Sequence, residues 1–205
     1  MITIVNYGSG NIQAIGNIYS RLNIEFAVAA TPDQLEGAQK LILPGVGAFD
    51  KTMTQLMESG MKSKLDQLVL ERKVPVLGIC VGMQILANGS DEGDLPGLGW
   101  INGRVKLFDV TKFTHKPHIP HMGWNNVRPK VDQHHLFKGH DSQQGFYFLH
   151  SYFFECSHEE NILSTTEYGD RFASSVYRGN IFGTQFHPEK SHHNGIQLLK
   201  NYAEL

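Results

Sequence analysis

Val74-Pro75-Val76-Leu77-Gly78-Ile79-Cys80-Val81-Gly82-Met83-Gln84 reads as a buried strand that turns sharply into a helix. The β-branched, apolar run stops at Gly78, a cysteine follows at position 80, and a second glycine comes two residues later. A short, fully apolar run suits a strand covered on both faces. The thiol then sits at the corner, as the hydroxyl does in a Gly-x-Ser-x-Gly nucleophile elbow. Small residues flank such a corner because its backbone is crowded and glycine has no Cβ to clash. The first N–H groups of the following helix point at Cys80, and their partial positive charge favours a thiolate there.

On the N-terminal side of this corner, strand and helix signals alternate. Ile2 to Asn6 reads as a strand, and the loop Tyr7-Gly8-Ser9-Gly10 leads to a helix on which Ile12, Ile15, Tyr19 and Leu22 share a face. Glu25 to Ala29 is a second strand, and Pro32 opens a short helix. Leu41 to Leu43 is a third strand, ending at Pro44-Gly45-Val46-Gly47. Phe49 to Glu58 and Met61 to Arg72 read as helices. After Gly89 the character changes to short β-rich pieces through Lys130. Phe146 to Glu155, Ile162 to Tyr168, Phe172 to Tyr177 and Ile181 to Phe186 then read as strands. Ser191 is placed to cap a last helix with Ile196, Leu199 and Ala203 along one side. The expected fold is α/β: a doubly wound, mostly parallel sheet flanked by helices, with an antiparallel β extension. Ligands of such sheets bind beyond the carboxyl ends of the strands, where Cys80, the Pro44–Gly47 loop and the Gly8–Gly10 loop all fall.

The chain has 205 residues, which suits a single domain over 1–205. Its formal charge of -2 provides no basic field for nucleic acid or an anionic membrane. The only cysteines are Cys80 and Cys156, so no disulfide framework is expected, and a reducing compartment fits. No apolar stretch reaches the length of a membrane span, and Met1 to Asn6 lacks a charged leader, so the expected location is cytoplasmic.

A cysteine nucleophile needs a base, and the base needs an orienting group. Gln185-Phe186-His187-Pro188-Glu189 follows the last strand directly. In extended backbone His187 and Glu189 point the same way, so Glu189 can hold one imidazole nitrogen while the other faces the thiol. The oxyanion of an acyl-transfer intermediate needs backbone donors. The N–H of Val81 is one, and the glycine-rich Pro44–Gly47 loop is the natural source of another.

These segments together resemble the class I (triad) glutamine amidotransferases. Asn6-Tyr7-Gly8-Ser9-Gly10-Asn11, Pro44-Gly45-Val46-Gly47-Ala48-Phe49, Pro120-His121-Met122-Gly123-Trp124-Asn125, His150-Ser151-Tyr152 and Gln185 to Ser191 are similar, in order, to the branch formed by glutaminase subunits of imidazole glycerol phosphate synthases. The elbow alone is shared across the superfamily; the Met-Gly-Trp-Asn and Pro-Gly-Val-Gly pieces discriminate further. The resemblance implies that Cys80, His187 and Glu189 hydrolyse glutamine through a γ-glutamyl thioester. It places Gly45, Val46 and Val81 at the oxyanion hole, and Gly47, Gln84, Ser151 and Tyr152 against the substrate. It also implies a partner, a cyclase subunit with a (β/α)8 barrel that receives the ammonia in histidine biosynthesis, met through Asn11, Trp124, Tyr147 and Lys190. The Gly45–Gly47 peptide is the expected switch when the partner binds its own substrate. Neither a cofactor nor a metal is implied. A paralogue serving a surface-polysaccharide sugar amidotransferase would keep the same catalytic motifs, and a stand-alone γ-glutamyl thiol hydrolase is a more distant reading.

Other features read as structural. Gly8-Ser9-Gly10 follows a strand, but residue 13 is Gln, so the dinucleotide fingerprint fails. His115, His118 and His121 are interleaved with Pro117 and Pro120, and neither they nor His134, His135, His140, His192 and His193 come with a Cys-x-x-Cys or His-Glu-x-x-His pattern, so solvated loop histidines are expected. His150 is expected to be a hydrogen-bonded structural residue, and Cys156 a passive thiol.

Overall fold

The alternating apolar and amphipathic segments of the N-terminal part form β1 (Ile2–Val5), α1 (Ile12–Arg21), β2 (Phe26–Ala29), β3 (Lys40–Gly45), α2 (Phe49–Glu58), α3 (Lys62–Asp66), β4 (Val76–Cys80) and α4 (Val81–Gln84). The computed structural model describes residues 1–113, 118–130 and 134–205. Short strands follow: β5 (Gly89–Ser90), β6 (Gly103–Leu107), β7 (His121–Asn125) and β8 (Arg128–Pro129). The C-terminal part adds β9 (Phe146–His150), β10 (Tyr152–Cys156), β11 (Ile162–Tyr168), β12 (Asp170–Arg178), β13 (Ile181–Thr184) and α5 (His192–Glu204).

The main sheet runs β2-β1-β3-β4-β13-β12-β10-β6-β5. From β2 to β13 every pairing is parallel. Beyond β13, strands β12, β10 and β6 pair antiparallel, β5 joins β6 in parallel, and β11 links β12 to β8. The strands β7 and β9 form a separate antiparallel pair. This is the expected α/β architecture. The order reverses between β1 and β3, and right-handed crossovers therefore put α1 and α2 on opposite faces of the sheet. On these faces α1 packs on α5, and α2 on α4. Two buried tyrosines anchor the last helix: Tyr19 donates to the Leu199 carbonyl at 3.2 Å, and Tyr202 of α5 donates to the Leu41 carbonyl of β3 at 2.6 Å.

Two segments depart from the expected elements. The single strand expected over Phe146 to Glu155 breaks at Ser151, because β9 pairs with β7 while β10 pairs with β6 in the other sheet. The helix expected over Met61 to Arg72 stops being α-helical at Asp66 and widens into a π turn over Gln67–Glu71. The wider turn keeps the adjacent Leu68 and Val69 both buried, which a 3.6-residue repeat does less well.

Candidate active site

Parallel pairing in register brings three chain segments to one sheet edge. Gly45 stands opposite Cys80, and Thr184 opposite Ile79. The end of β4 is therefore flanked by the Pro44–Gly47 loop on one side and by Gln185-Phe186-His187 on the other. At the corner Cys80 holds φ 56° and ψ -114°, a left-handed conformation for a residue with a side chain. Strain of this kind costs about 1–3 kcal/mol and persists only where packing enforces it. Gly82 supplies that packing: a Cβ there would lie 1.9 Å from the Leu43 carbonyl oxygen. The Cys80 sulfur is buried; Gln185 Nε2 donates to it at 3.9 Å, and the thiol in turn faces the Leu149 carbonyl, an acceptor 4.0 Å away.

His187 lines the same cavity as Cys80, near enough for the sulfur to act on its imidazole. Its Nδ1 lies 2.8 Å from Glu189 Oε1, and both side chains are almost wholly buried. The pair forms across a tight 3₁₀ turn at Pro188–Lys190 rather than along an extended strand. Burial pushes the imidazole down, but the Cys80 sulfur and then Glu189 outweigh it and raise His187 to about 10. The second carboxylate oxygen of Glu189 is buried and has no hydrogen-bond partner among the described residues, so the carboxylate is held through Oε1 to His187. Ser191 does not cap α5 with its side chain. Its hydroxyl instead donates to the His187 carbonyl at 2.6 Å and accepts from Tyr147 N–H at 3.0 Å, while His187 N–H donates to the Tyr147 carbonyl at 2.9 Å. The turn that carries His187 and Glu189 is thus tied at both ends to Tyr147 of β9.

The Pro44–Gly47 loop is held by the Tyr7–Gly10 loop. Tyr7 donates to the Pro44 carbonyl. Ser9 Oγ receives the Val46 N–H at 3.0 Å and bonds the Val46 carbonyl at 3.2 Å. The close approach explains Gly10, which has φ 93° and whose missing Cβ would meet Pro44 at 2.4 Å. The Gly8-Ser9-Gly10 turn is therefore a support for the neighbouring loop.

A cavity of about 320 Å³ opens over the sulfur, lined by Val46, Gly47, Cys80, Val81, Gln84, Ser151, Tyr152, His187 and Lys190 among others. Gln84 is buried, and its Nε2 donates to the Tyr152 carbonyl at 2.9 Å and to Gln185 Oε1 at 3.0 Å. Glu92, absent from the sequence-based set, also lines the cavity, where one oxygen accepts the Phe49 N–H at 2.8 Å at the start of α2. Gln185 stands two residues before His187 in the Gln185–Glu189 motif, a spacing that in extended backbone puts both side chains on one side.

Beside the cavity lies an aromatic surface. Trp124 is 47% exposed and Met122 65%. The Trp124 ring stacks on His192 at 5.1 Å and meets Tyr147 edge-on at 6.3 Å, with Lys190 Nζ 5.6 Å from the Tyr147 ring centre. Met122 shares the outer face of β7 with Trp124, which period-2 alternation in the sequence would have revealed. Asn11 stands half-buried at the start of α1, making no side-chain cap bond.

Among the described residues no group of three or more His, Cys, Asp or Glu side chains is placed to hold a metal ion; His115 lies outside them. Both cysteines are free, and burial pushes the Cys156 thiol up to about 12. Among the described residues no helix is long and apolar enough to cross a membrane.

The family model for glutamine amidotransferase class-I matches residues 3–204. The chain is 56% identical over 205 residues to the imidazole glycerol phosphate synthase subunit HisH of Bdellovibrio bacteriovorus, covering 100% of both chains. It is 46% identical to the subunit of the same name from Leptospira borgpetersenii, again over 100% of both. Among solved structures, a glutamine amidotransferase superposes with a TM-score of 0.73 at 19% identity, over 100% of this chain and 99% of that one. A glutamine amidotransferase of Thermotoga maritima gives 0.63 at 17% identity, over 99% and 82%. At these identities the structural likeness speaks for the fold.

Proposed function

Since the chain belongs to the class-I glutamine amidotransferase family, we propose that it is the glutaminase subunit of an imidazole glycerol phosphate synthase, acting in histidine biosynthesis. The reading is supported by the curated relatives named above, which match over their full length. One observation carries the chemistry: Cys80 and a buried His187–Glu189 couple meet at adjacent strand ends over one cavity.

In the proposed reaction Cys80 Sγ bonds the side-chain carbonyl carbon of glutamine. The C–N bond breaks, and the nitrogen leaves as ammonia with a proton from His187. The product on the enzyme is a γ-glutamyl thioester. His187 then takes a proton from water, the water oxygen attacks the thioester carbon, and the C–S bond breaks to release glutamate. Glu189 keeps the imidazole oriented and stabilises its charged form. The oxyanion faces the Val81 N–H and the Gly45–Gly47 loop, where a single donor is worth roughly 3–4 kcal/mol. In the free chain the Val46 N–H donates to Ser9, so recruiting it requires that peptide to turn, the proposed role of Gly45–Gly47 as a switch. Gly47, Gln84 and the Ser151–Tyr152 backbone would hold glutamine, and the Glu92 carboxylate has the charge to meet an α-ammonium. A synthase partner of (β/α)8-barrel fold would cover the cavity through Asn11, Trp124, Tyr147 and Lys190 and receive the ammonia, which open water would protonate.

The test is glutamate release from glutamine with and without the synthase subunit and its acceptor ligand, together with mass spectrometry of acid-quenched enzyme. Partner-stimulated turnover and a γ-glutamyl adduct on Cys80 are expected. Cys80→Ser should lower turnover by about 10³-fold or more; undiminished turnover in that variant overturns the reading.

A further inference from the structure

Two buried imidazoles outside the triad stand opposite each other where β7 meets β9. His121 and His150 are cross-strand partners, and each is largely shielded from solvent. Their four ring nitrogens all have partners, which determines where the protons sit. His150 Nδ1 lies 2.8 Å from the Tyr152 carbonyl oxygen. A carbonyl only accepts, so His150 carries its proton on Nδ1. Its Nε2 is then an acceptor, and His121 Nδ1, 3.0 Å away, is the donor. His121 Nε2 is left as an acceptor, and Asn125 Nδ2 donates to it at 3.2 Å. The bonds therefore run in one direction, from Asn125 through two neutral rings to the Tyr152 oxygen.

The surroundings hold this arrangement in place. Burial pushes His121 down to about 4; burial, with His121 adding to it, pushes His150 down to about 3. The His121 ring is stacked between Tyr168 at 3.9 Å and Phe148 at 4.7 Å. At the receiving end, the Tyr152 carbonyl also accepts from Gln84 Nε2 at 2.9 Å. Ser151 is where the chain leaves one sheet for the other, so strand pairing alone cannot fix the turn. Phe108 N–H donates to the Ser151 carbonyl at 3.3 Å, and the side-chain donors of His150 and Gln84 add to it at the Tyr152 carbonyl; Ser151 and Tyr152 line the cavity beside Cys80.

We propose that His121 and His150 are positioning residues for glutamine, acting through the Tyr152 carbonyl to fix the Ser151–Tyr152 turn. The inference rests on the assignment of that turn to glutamine made above. His121→Phe retains a stacked ring but removes the donor. His150 Nε2 is then left unpaired, and moving its proton there would turn an acceptor toward the Tyr152 oxygen. His121→Asn places an amide donor close to the position of Nδ1.

The experiment uses the complex with its synthase subunit at saturating acceptor ligand. In His121→Phe the KM for glutamine should rise about tenfold, the equivalent of one hydrogen bond, with kcat within about twofold. His121→Asn should recover most of that loss. Imidazole nitrogen NMR on the unmodified protein should find both rings neutral with the proton on Nδ1 at neutral pH, a readout that needs no variant to fold. The proposal is overturned by a charged ring, by a proton on Nε2 of either ring, by an unchanged KM in His121→Phe, or by equal effects of Phe and Asn. Glutamine titration of Cys80→Ala, followed at the Ser151 and Tyr152 amides, separates two kinds of failure. If those amides do not respond, the assignment of the turn to glutamine is wrong; if they respond while KM is unmoved, only the positioning role is.

Discussion

At Cys80 the chain accepts a left-handed backbone to lift one sulfur out of a strand end. The adjacent His187–Glu189 couple has the opposite character, with no strain to report but nearly complete burial. A buried carboxylate is costly unless it faces positive charge, and Glu189 faces an imidazole whose protonated form it stabilises. Glu189→Gln keeps the shape and an acceptor for Nδ1 but removes that charge. Glutaminase kcat in the complex should fall by about 10²–10⁴-fold, with the circular-dichroism spectrum unchanged; an unaltered kcat would remove Glu189 from the mechanism.

Among the elements, α5 differs most instructively from its hydropathy pattern. Leu199 is fully buried and Ile196 and Ala203 pack against the core, as the stripe anticipates. Two asparagines of the same helix are also buried. Asn201 Nδ2 donates to the carbonyls of Leu136 and Lys138 at 3.1 and 2.7 Å, and Asn194 Nδ2 to those of Asp141 and Gly145 at 2.8 and 3.0 Å. These amides take the place of strand pairing for a connection that has none. Asn201→Ala should therefore cost about 1–3 kcal/mol, because it takes this donor from the buried Leu136 carbonyl and the partly buried Lys138 carbonyl. Urea denaturation measures this, and a loss below the error of the method would mean that the connection re-pairs elsewhere.

On the scale of the molecule, two properties depend on many elements at once. The first is acid sensitivity. His121 and His150 are held neutral when folded, at about 4 and 3, whereas an unfolded histidine titrates near 6.5. Below about pH 6.5 the unfolded chain thus binds protons the folded chain refuses, and stability falls as pH drops. Melting temperature should decline between about pH 6.5 and 5, with a shallower slope in His121→Phe; equal slopes would mean that His121 is not kept neutral. The second property is partner docking. Trp124, Met122, Tyr147 and Lys190 present one aromatic and aliphatic surface beside the cavity mouth. Trp124→Ala should weaken the complex by about 2 kcal/mol or more, roughly thirtyfold in Kd, while the free chain melts as before. Calorimetric titration with the synthase subunit checks it, and unchanged affinity places the anchor elsewhere.

The sequence by itself determined the alternation of strands and helices, the strand-to-helix corner at Cys80, the pairing of His187 with Glu189, and the family. Each of these is written in neighbouring residues, through hydrophobic period, glycine spacing or a short motif. The tertiary structure alone decided what completes the site. Ser9 takes the Val46 N–H across 37 positions, Glu92 meets Phe49 across 43, and Gln185 reaches the Cys80 sulfur across 105. It also split the Phe146–Glu155 segment between two sheets and joined His121 to His150. Hydropathy reports whether a side chain leaves water, which is a local property. Which polar groups then satisfy one another depends on which strands become neighbours, and that is settled only when the sheets assemble.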